Sequence, residues 1–393
     1  MNILRIIYDW PDKNGIEFGL AVAPYELSIS QAKLGHKIFV LCGNLNGKNF
    51  KAKRFSYELL DGQITVYNLP RAIKHFGPFL STSIFVLIYY FYLRSVKKID
   101  LVHSHGHLGV WFLVYKKLFG SFDTIPLVGH YHITAKGRER AMKKQGSKLG
   151  VFSKYFEYPI HRFSDSLMSK TANHLVAVAQ NVLAEVQEFY SVPNSKITLL
   201  ESGVNVDNFH KDGVRNRYGI PENKILLATS GRLSQRKNVD VVVKALSQLE
   251  DKYHLILQGF WEPEYKDLVQ KIIDEKKLKD RISYIGLLEL EDIPSLMRTI
   301  DIMVMPSSYE GLPKVVVEAL ASGAKVITSG FDMSHKIPEL YITDGLSPNE
   351  LAKFIKEVQT KSVDYEKTRK IIVKFYSWDS KARDLEKIYE KLV

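Results

Sequence analysis

The sequence predicts an α/β protein built of two Rossmann-like domains. Two segments of its C-terminal half, residues 225–249 and 302–323, each combine an apolar strand, a polar loop and a helix. The chain has 393 residues, which is enough for two domains of ordinary size. We place the first domain at residues 1–202, the second at residues 203–376 and a closing helical segment at residues 377–393.

In the later of the two segments, two carboxylates lie eight residues apart, Glu310 in the loop and Glu318 on the helix. Pro313 suits the first helical turn, where its missing N–H costs no hydrogen bond, and Gly323 suits the helix end. A helix that starts where a strand ends presents free N–H groups and a partial positive charge, which favour phosphate. The two acids could accept hydrogen bonds from sugar or ribose hydroxyls. The alternative is a surface helix whose acids are only solvated.

In the earlier segment, the strand 225–230 is followed by the basic loop 231–237. We expect Arg232 and Lys237 of this loop near the carboxyl end of the strand, and Asn238 as the N-cap of a helix over residues 239–249. Two fixed cations near a helix N-terminus can neutralise a diphosphate through charge-assisted hydrogen bonds. The alternative is a solvated basic loop.

Other short motifs accompany these loops in a fixed order along the chain. They are Asn14-Gly15-Ile16-Glu17, Asp100-x-x-His103-x-His105, His130-Tyr-His132, Ser202-Gly-Val-Asn205 and Ser377-Trp378. Together with the two loops, they resemble the retaining nucleotide-sugar glycosyltransferases of GT-B fold, glycosyltransferase family 4 (glycosyl transferases group 1). The resemblance extends over nearly the whole chain.

The resemblance implies a GT-B fold, in which two Rossmann-like domains face each other across a cleft and the C-terminal helix crosses back to the N-terminal domain. The N-terminal domain would bind the acceptor and the C-terminal domain the nucleotide-sugar donor. The sugar leaves through an oxocarbenium-like state, while negative charge grows on the leaving phosphate. The family retains the anomeric configuration. Same-face attack, with the leaving phosphate taking the acceptor proton, needs no dedicated nucleophile.

The same resemblance implies roles for individual residues. His132 would contact the donor sugar near the reacting carbon, Glu310 the sugar hydroxyls and Glu318 the ribose. Arg232 and Lys237 would stabilise the leaving phosphate, so that with His132 and Glu310 they form the catalytic set. The expected substrate-binding residues are Gly15, Arg232, Lys237, Glu310, Gly311, Leu312, Pro313, Lys314 and Glu318.

Two departures from the family pattern leave the donor undetermined. Gly15 lacks a side chain where the backbone could approach the diphosphate, but Asn14 replaces the first of two common glycines. After residues 326–329 the usual Gly-Gly and Asn-Gly turns are missing. The sequence therefore does not choose between a UDP-sugar and a GDP-sugar. A GT-B sugar-nucleotide epimerase and a non-catalytic membrane-binding GT-B protein remain as alternatives to a transferase.

The basic charge of the chain is confined to its N-terminal half. Residues 1–200 contain 25 Lys and Arg against 13 Asp and Glu, whereas residues 201–393 contain 30 of each. A basic surface attracts anionic lipid, phosphate-bearing acceptors or nucleic acid, and no nucleic-acid motif supports the last. The alternative is a protein that is merely basic. We expect a membrane-associated or lipid-linked glycan acceptor, with an anionic membrane surface as partner.

Two segments bear on the membrane. Residues 76–93 lack charge and are rich in aromatic side chains, but the 15 residues that follow Gly77-Pro78 fall short of the roughly 20 that span a bilayer. With the basic residues at 94–98, they suit a helix lying in the membrane interface or, alternatively, one packed on the sheet. Residues 136–154 contain seven basic residues and one acid, which suits a loop that guides a phosphate-bearing acceptor.

The histidines raise the question of zinc. His103, His105 and His107 alternate, as do His130 and His132, so each set would share one face of a strand. No Cys-x-x-Cys or His-Glu-x-x-His pattern accompanies them, and the sequence contains no Asp-x-Asp motif. We expect no metal and no cofactor, with the nucleotide-diphosphate sugar as a substrate.

Cysteine content and the first residues bear on location. The single Cys42 cannot form an internal disulfide, which favours a reducing compartment, and the first residues lack a signal-peptide pattern. We expect a cytoplasmic hexosyltransferase of glycan or glycolipid biosynthesis, peripheral at the inner face of the membrane.

Overall fold

The chain divides into two units. The structure, a computed structural model, describes residues 1–8, 10–11, 19–43, 56–70, 78–144, 153–214, 216–345 and 347–393. Gly15 of the expected donor site, Asn14 and part of the basic segment 136–154 lie outside these residues. Unit 1 consists of Met1–Ser202 with Trp378–Val393, and unit 2 consists of Gly203–Ser377.

The described residues contain two sets of strands. Those of unit 1 are β1 (Asn2–Ile7), β2 (Lys37–Cys42), β3 (Ser56–Leu59), β4 (Ile64–Asn68), β5 (Leu101–His105), β6 (Leu127–Tyr131), β7 (His174–Ala177) and β8 (Ile197–Leu199). Those of unit 2 are β9 (Ile225–Ser230), β10 (Tyr253–Gln258), β11 (Ile282–Gly286), β12 (Ile302–Met305), β13 (Lys325–Thr328) and β14 (Leu340–Ile342).

Helices connect the strands in both units. They are α1 (Gly19–Lys33), α2 (Pro78–Val96), α3 (Val110–Phe119), α4 (Ala135–Lys144), α5 (Tyr158–Thr171), α6 (Gln180–Tyr190), α7 (Val239–Leu246), α8 (Pro263–Glu275), α9 (Ile293–Thr299), α10 (Lys314–Ala321), α11 (Pro348–Thr360), α12 (Tyr365–Tyr376) and α13 (Trp378–Tyr389).

Each unit has one sheet. The order in unit 1 is β3-β4-β2-β1-β5-β6-β7-β8, and in unit 2 it is β11-β10-β9-β12-β13-β14. Among the described strands, only β3 and β4 pair antiparallel. Parallel strands joined through helices confirm the predicted α/β class with two Rossmann-like folds.

The C-terminal helix α13 belongs to unit 1, where it packs on α1. Its buried residues Trp378, Ala382, Leu385 and Tyr389 join the apolar core beneath β1 and its neighbours. The structure therefore attaches the last helix to the N-terminal residues, as the GT-B resemblance implies.

Strand order decides which loops meet. β9 and β12 are paired in the unit 2 sheet, so the loops that follow them leave the same edge. The loop after β9 contains Arg232 and Lys237, and the loop after β12 contains Glu310. In unit 1, β5 and β6 are paired in the same way, which brings His105 next to His130.

The helix after the basic loop differs from its prediction. Helix α7 ends at Leu246, and Leu249 lies in a turn in which its N–H donates to the Leu246 carbonyl at 3.1 Å. Asn238 is the N-cap residue of α7, as predicted, but its side chain makes no capping hydrogen bond. It adopts a left-handed φ of 52°, and its amide donates to the Pro306 carbonyl at 2.7 Å. Its side chain therefore joins the two loops of the site.

The aromatic segment of residues 76–93 lies largely within one helix, α2, which continues to Val96. None of the helices in the described ranges combines the length and the apolarity that crossing a bilayer requires.

Candidate functional site

Lys237 is the most buried cation at the carboxyl edge of the unit 2 sheet. It ends the short 3₁₀ turn Gln235–Lys237, and its ammonium donates to the Ser230 carbonyl at 2.9 Å and lies 3.4 Å from the sulfur of Met305. Burial lowers the pKa of Lys237 to about 8, although the nearby Glu310 raises it. Lys237 is therefore held at the ends of both β9 and β12.

The space for this ammonium depends on Gly231. Gly231 has a φ of +104°, and a Cβ there would lie 2.9 Å from Nζ of Lys237. Any other residue would be strained and would crowd the lysine. The first residue of the basic loop 231–237 thus has a steric reason to be glycine.

Arg236 pairs with Glu310, one of the two predicted acids. Nη1 of Arg236 lies 2.5 Å from Oε1 of Glu310 and also donates to the Tyr309 carbonyl at 2.7 Å. The Ser307 hydroxyl approaches the same carboxylate oxygen at 3.3 Å. The N–H of Glu310 donates to the Gly330 carbonyl at 2.8 Å. Both the backbone and the side chain of Glu310 are therefore fixed.

The second predicted acid, Glu318, is on α10. Its Oε1 lies 3.2 Å from Nζ of Lys314, one helical turn earlier, and both side chains are largely buried. Pro313 directly precedes the helix in an extended conformation, with φ of −69° and ψ of 122°. Gly311, Leu312 and Pro313 thus connect Glu310 to the free N–H groups at the start of α10.

Arg232 completes the cationic group. Its guanidinium lies over the ring of Phe260, 5.2 Å from the centroid. The charges of Arg236 and Arg232 both act to lower the pKa of Lys237. Unit 2 therefore brings together the predicted Arg232, Lys237 and Glu310, and adds Arg236.

In unit 1, four histidines stack on one face of β5 and β6. Nδ1 of His105 lies 3.1 Å from Nε2 of His132, and Nε2 of His103 lies 3.1 Å from Nδ1 of His130. Burial lowers the pKa of all four imidazoles, that of His132 to about 4. The predicted site residue His132 is therefore a neutral member of a hydrogen-bonded column.

Tyr389 of α13 closes the inner end of this column. Its hydroxyl lies 2.5 Å from Nδ1 of His103. Burial raises the pKa of Tyr389 to about 12, with the charge of Arg5 acting in the opposite direction, so the phenol keeps its proton at neutral pH. Because Arg5 can only donate, the Tyr389 hydroxyl accepts from Arg5 and donates its own hydrogen bond to Nδ1 of His103. His103 then donates from Nε2 to His130.

The geometry of these rings bears on the zinc alternative. His103, His105 and His130 place one nitrogen each within 4.8 Å of one another. The rings, however, stack at interplanar angles of 24°, 9° and 28°, whereas a metal needs lone pairs that converge on one point. The cation Arg5 lies close enough to lower the pKa of all three. These residues fit a hydrogen-bonded stack better than a metal centre.

A small cavity of about 10 Å³ lies beside the histidines in unit 1. Its lining includes His105, His130, His132, Glu201 and Trp378. The histidine column thus borders this cavity, which Glu201 and Trp378 also line.

Sequence reasoning missed two residues of these sites. Arg236 stands next to Lys237, and only the charge run 232–237 marked it. Tyr389 is 286 residues from His103 in sequence, so no local pattern could identify it as a partner.

Two family models match the chain. Residues 19–208 match the model described as glycosyltransferase family 4, and residues 211–373 match the model described as glycosyl transferases group 1. An uncharacterized glycosyltransferase of Methanocaldococcus jannaschii is 20% identical over 99% of this chain and 98% of that protein. Further curated glycosyltransferases match over about half of their own length.

Solved structures share the fold. Sucrose-phosphate synthase of Thermosynechococcus elongatus has a TM-score of 0.80 at 18% identity, with 100% of this chain and 98% of that chain covered. Anabaena HepE in complex with UDP-glucose has a TM-score of 0.72 at 17% identity, with 100% of both chains covered. The chain therefore belongs to the group 1 and family 4 glycosyltransferases, and its fold is GT-B.

Proposed function

We propose that this protein transfers a hexose from a UDP-sugar or GDP-sugar to a membrane-associated, lipid-linked or phosphate-bearing glycan acceptor, with retention of anomeric configuration and without a metal ion. The observation that supports this most is the charge arrangement of unit 2. Arg236 and Lys237 lie beside Glu310 at one sheet edge, where α10 also begins. Such a site combines cations and amides for phosphate with carboxylates for hydroxyls.

The donor half of the reaction rests on these groups. Arg232, Lys237 and the first amides of α10 stabilise the negative charge that grows on the leaving phosphate. Glu310 accepts hydrogen bonds from sugar hydroxyls, and Glu318 accepts them from the ribose. The likeness to HepE, whose structure is a complex with UDP-glucose, supports a nucleotide-sugar donor.

His132 is the proposed contact near the reacting carbon. As a neutral imidazole it binds hydroxyls by hydrogen bonds and does not hold a charge beside the oxocarbenium-like sugar. The leaving phosphate takes the acceptor proton on the same face, so no carboxylate nucleophile is required. His132 and Glu310 therefore bind and orient, whereas Arg232 and Lys237 lower the barrier by charge.

The acceptor is inferred from charge. Residues 1–200 contain 25 basic and 13 acidic residues, and this excess of positive charge favours an anionic partner. We place the protein at the inner face of a membrane, in glycan or glycolipid biosynthesis, because a lipid-linked acceptor would be held there.

A panel of nucleotide sugars tests the donor. A donor that binds only the native state raises the melting temperature, and the best donor is then assayed for transfer to lipid-phosphate acceptors. We expect a UDP-sugar or GDP-sugar to stabilise the wild type, and Arg232→Ala to lose most of that stabilisation. The absence of any shift with every UDP-sugar and GDP-sugar would contradict the proposal.

The same samples separate the two alternatives. An epimerase converts the donor to its epimer without acceptor, whereas the proposed transferase leaves the sugar configuration unchanged. A non-catalytic protein would keep its biological activity when Glu310→Ala and Arg232→Ala remove the donor site.

A further inference from the structure

We infer that the outer face of helices α2 and α3 docks on an anionic lipid bilayer. This outer face is defined by six exposed apolar residues: Ile84, Ile88, Phe91, Trp111, Phe119 and Phe122. The inference rests on the proposed function for its biological purpose. Its test uses no donor and no acceptor, so the two can fail separately.

Helix α2 has two apolar faces. The inner face, with Val86, Tyr90 and Leu93 at helical spacing, is fully buried in unit 1. On the opposite side, Ile84 and Ile88 are 41% and 54% exposed. The fold therefore accounts for the first face and leaves the second in contact with solvent.

Helix α3 repeats this arrangement. Phe112 and Leu113 are fully buried, whereas Trp111, Phe119 and the following Phe122 are exposed, Phe122 at 82%. A soluble protein rarely exposes a contiguous apolar surface of this kind unless a partner covers it.

The two helices present one continuous surface. Phe91 of α2 packs edge-on against Tyr115 of α3, with ring centroids 5.0 Å apart. Tyr115 in turn stacks on Phe119 at 5.6 Å. The outer residues of α2 and α3 are thus linked through a row of aromatic rings.

The charges around the outer face favour lipid over a protein partner. Residues 78–125 contain five basic side chains and only two acids, Asp100 and Asp123. Asp123 and Lys116 are both buried and pair with each other, so the exposed basic side chains are Arg94, Lys97, Lys98 and Lys117, against the half-buried Asp100. Basic side chains beside exposed Trp, Tyr and Phe suit the headgroup level of an anionic membrane.

The position of α3 connects this face to the histidine column. Helix α3 begins at Val110, five residues after His105 at the end of β5. A bilayer on the outer face would therefore lie near the strand ends of unit 1, where a lipid-linked acceptor has to be held.

Vesicle flotation of the full chain tests the inference. The face variant is Ile88→Ser with Phe119→Ser. The control variant is Leu268→Ser with Val373→Ser, which removes two exposed apolar residues of unit 2. We expect the wild type and the control to bind vesicles of phosphatidylcholine with phosphatidylglycerol, less so in high salt. The face variant should bind at least about tenfold more weakly, because two apolar contacts are lost.

Three results would overturn the inference. The wild type could fail to bind anionic vesicles, the face variant could bind as well as the control, or pure phosphatidylcholine could bind equally well. A concentration-dependent dimer of the wild type that the face variant abolishes would assign the face to a second copy instead. All altered positions are exposed, and an unchanged melting temperature confirms that each variant is folded.

Discussion

The guanidinium of Arg236 and the carboxylate of Glu310 lie 2.5 Å apart and join two loops that are 74 residues distant in sequence. Arg236 also donates to the carbonyl of Tyr309, next to Glu310. The loop after β9 thereby sets the position of the acid that we assign to the donor sugar. Under the proposed function, Arg236 would therefore be a positioning residue that acts on the sugar through Glu310.

Removing the Arg236 guanidinium should impair sugar transfer only because Glu310 is no longer held in position. We expect Arg236→Ala to lower kcat/KM by about tenfold, the order of one charged hydrogen bond. In a Glu310→Ala background, the same change should have little further effect, because the group that Arg236 holds is already gone. Steady-state kinetics of the wild type, both single variants and the double variant measure this coupling.

Lys271→Ala is the matched control, since it breaks the exposed pair of Lys271 with Glu275 in unit 2. Its kinetics should equal those of the wild type. If Arg236→Ala lowered kcat/KM by the same factor in the wild type and in Glu310→Ala, Arg236 would act independently of Glu310.

Arg232 should contribute more to the transition state than Arg236 does. Arg232→Ala should lower kcat by about 10²–10³-fold, as loss of one donor to a developing anion does. Arg232→Lys keeps the charge but loses the planar contact with Phe260, so we expect an intermediate value. Rates of all three proteins within twofold of each other would contradict the assignment.

The strands and loops of unit 2 follow from local sequence. The apolar residues of β9 and β12, the polar residues after them and the terminating Gly323 are short-range signals. Asn238 shows what such short-range signals leave undetermined. Its position as N-cap follows from local sequence, but its side-chain amide donates to the Pro306 carbonyl and does not cap the helix. A partner that is distant in sequence decided its role.

The histidine column likewise combines a feature that local sequence predicts with a contact that it does not predict. Alternation predicts that His103, His105 and His107 share a face. This holds for His103 and His105, which stack on each other, whereas His107 lies beyond the end of β5 and stacks on His161. The contact with Tyr389 depends on the docking of α13 in unit 1, which only the resemblance implied. Arg236 was visible as part of a basic run, but no local pattern pairs it with Glu310, which lies 74 residues away.

Asp123 should be a major determinant of stability in unit 1. It is buried, accepts a hydrogen bond from Tyr90 at 2.5 Å and pairs with Lys116 and Arg94. Asp123→Ala leaves buried polar groups without their acceptor, so the free energy of unfolding should fall by about 3 kcal/mol. Denaturant unfolding measures the change. Glu188→Ala, which removes one partner of an exposed pair, should leave the stability nearly unchanged.

The pH profile of transferase activity should show no acidic limb from His132 near neutral pH. Burial lowers its pKa to about 4, so the imidazole is neutral throughout pH 5.5–8. His132→Gln, which keeps a donor and an acceptor, should retain more activity than His132→Ala, with the same pH profile as the wild type. A wild-type limb near pH 6.5 that disappears in His132→Gln would show that the charged imidazole matters.

Lys237 should make donor binding weaken in alkali. Its pKa of about 8 lies below the ordinary value of 10.5 because of burial, so the free protein loses this cation as pH rises through 8. A diphosphate favours the ammonium form, so its affinity should be constant below pH 7 and fall by up to about tenfold per unit above pH 8. Calorimetric titration with the nucleoside diphosphate between pH 6.5 and 9.5 measures this dependence. Lys237→Arg, whose charge persists in this range, should remove the decline, whereas Lys237→Met should bind weakly at every pH. A wild-type affinity that stays constant up to pH 9.5 would show that Lys237 does not contact the diphosphate.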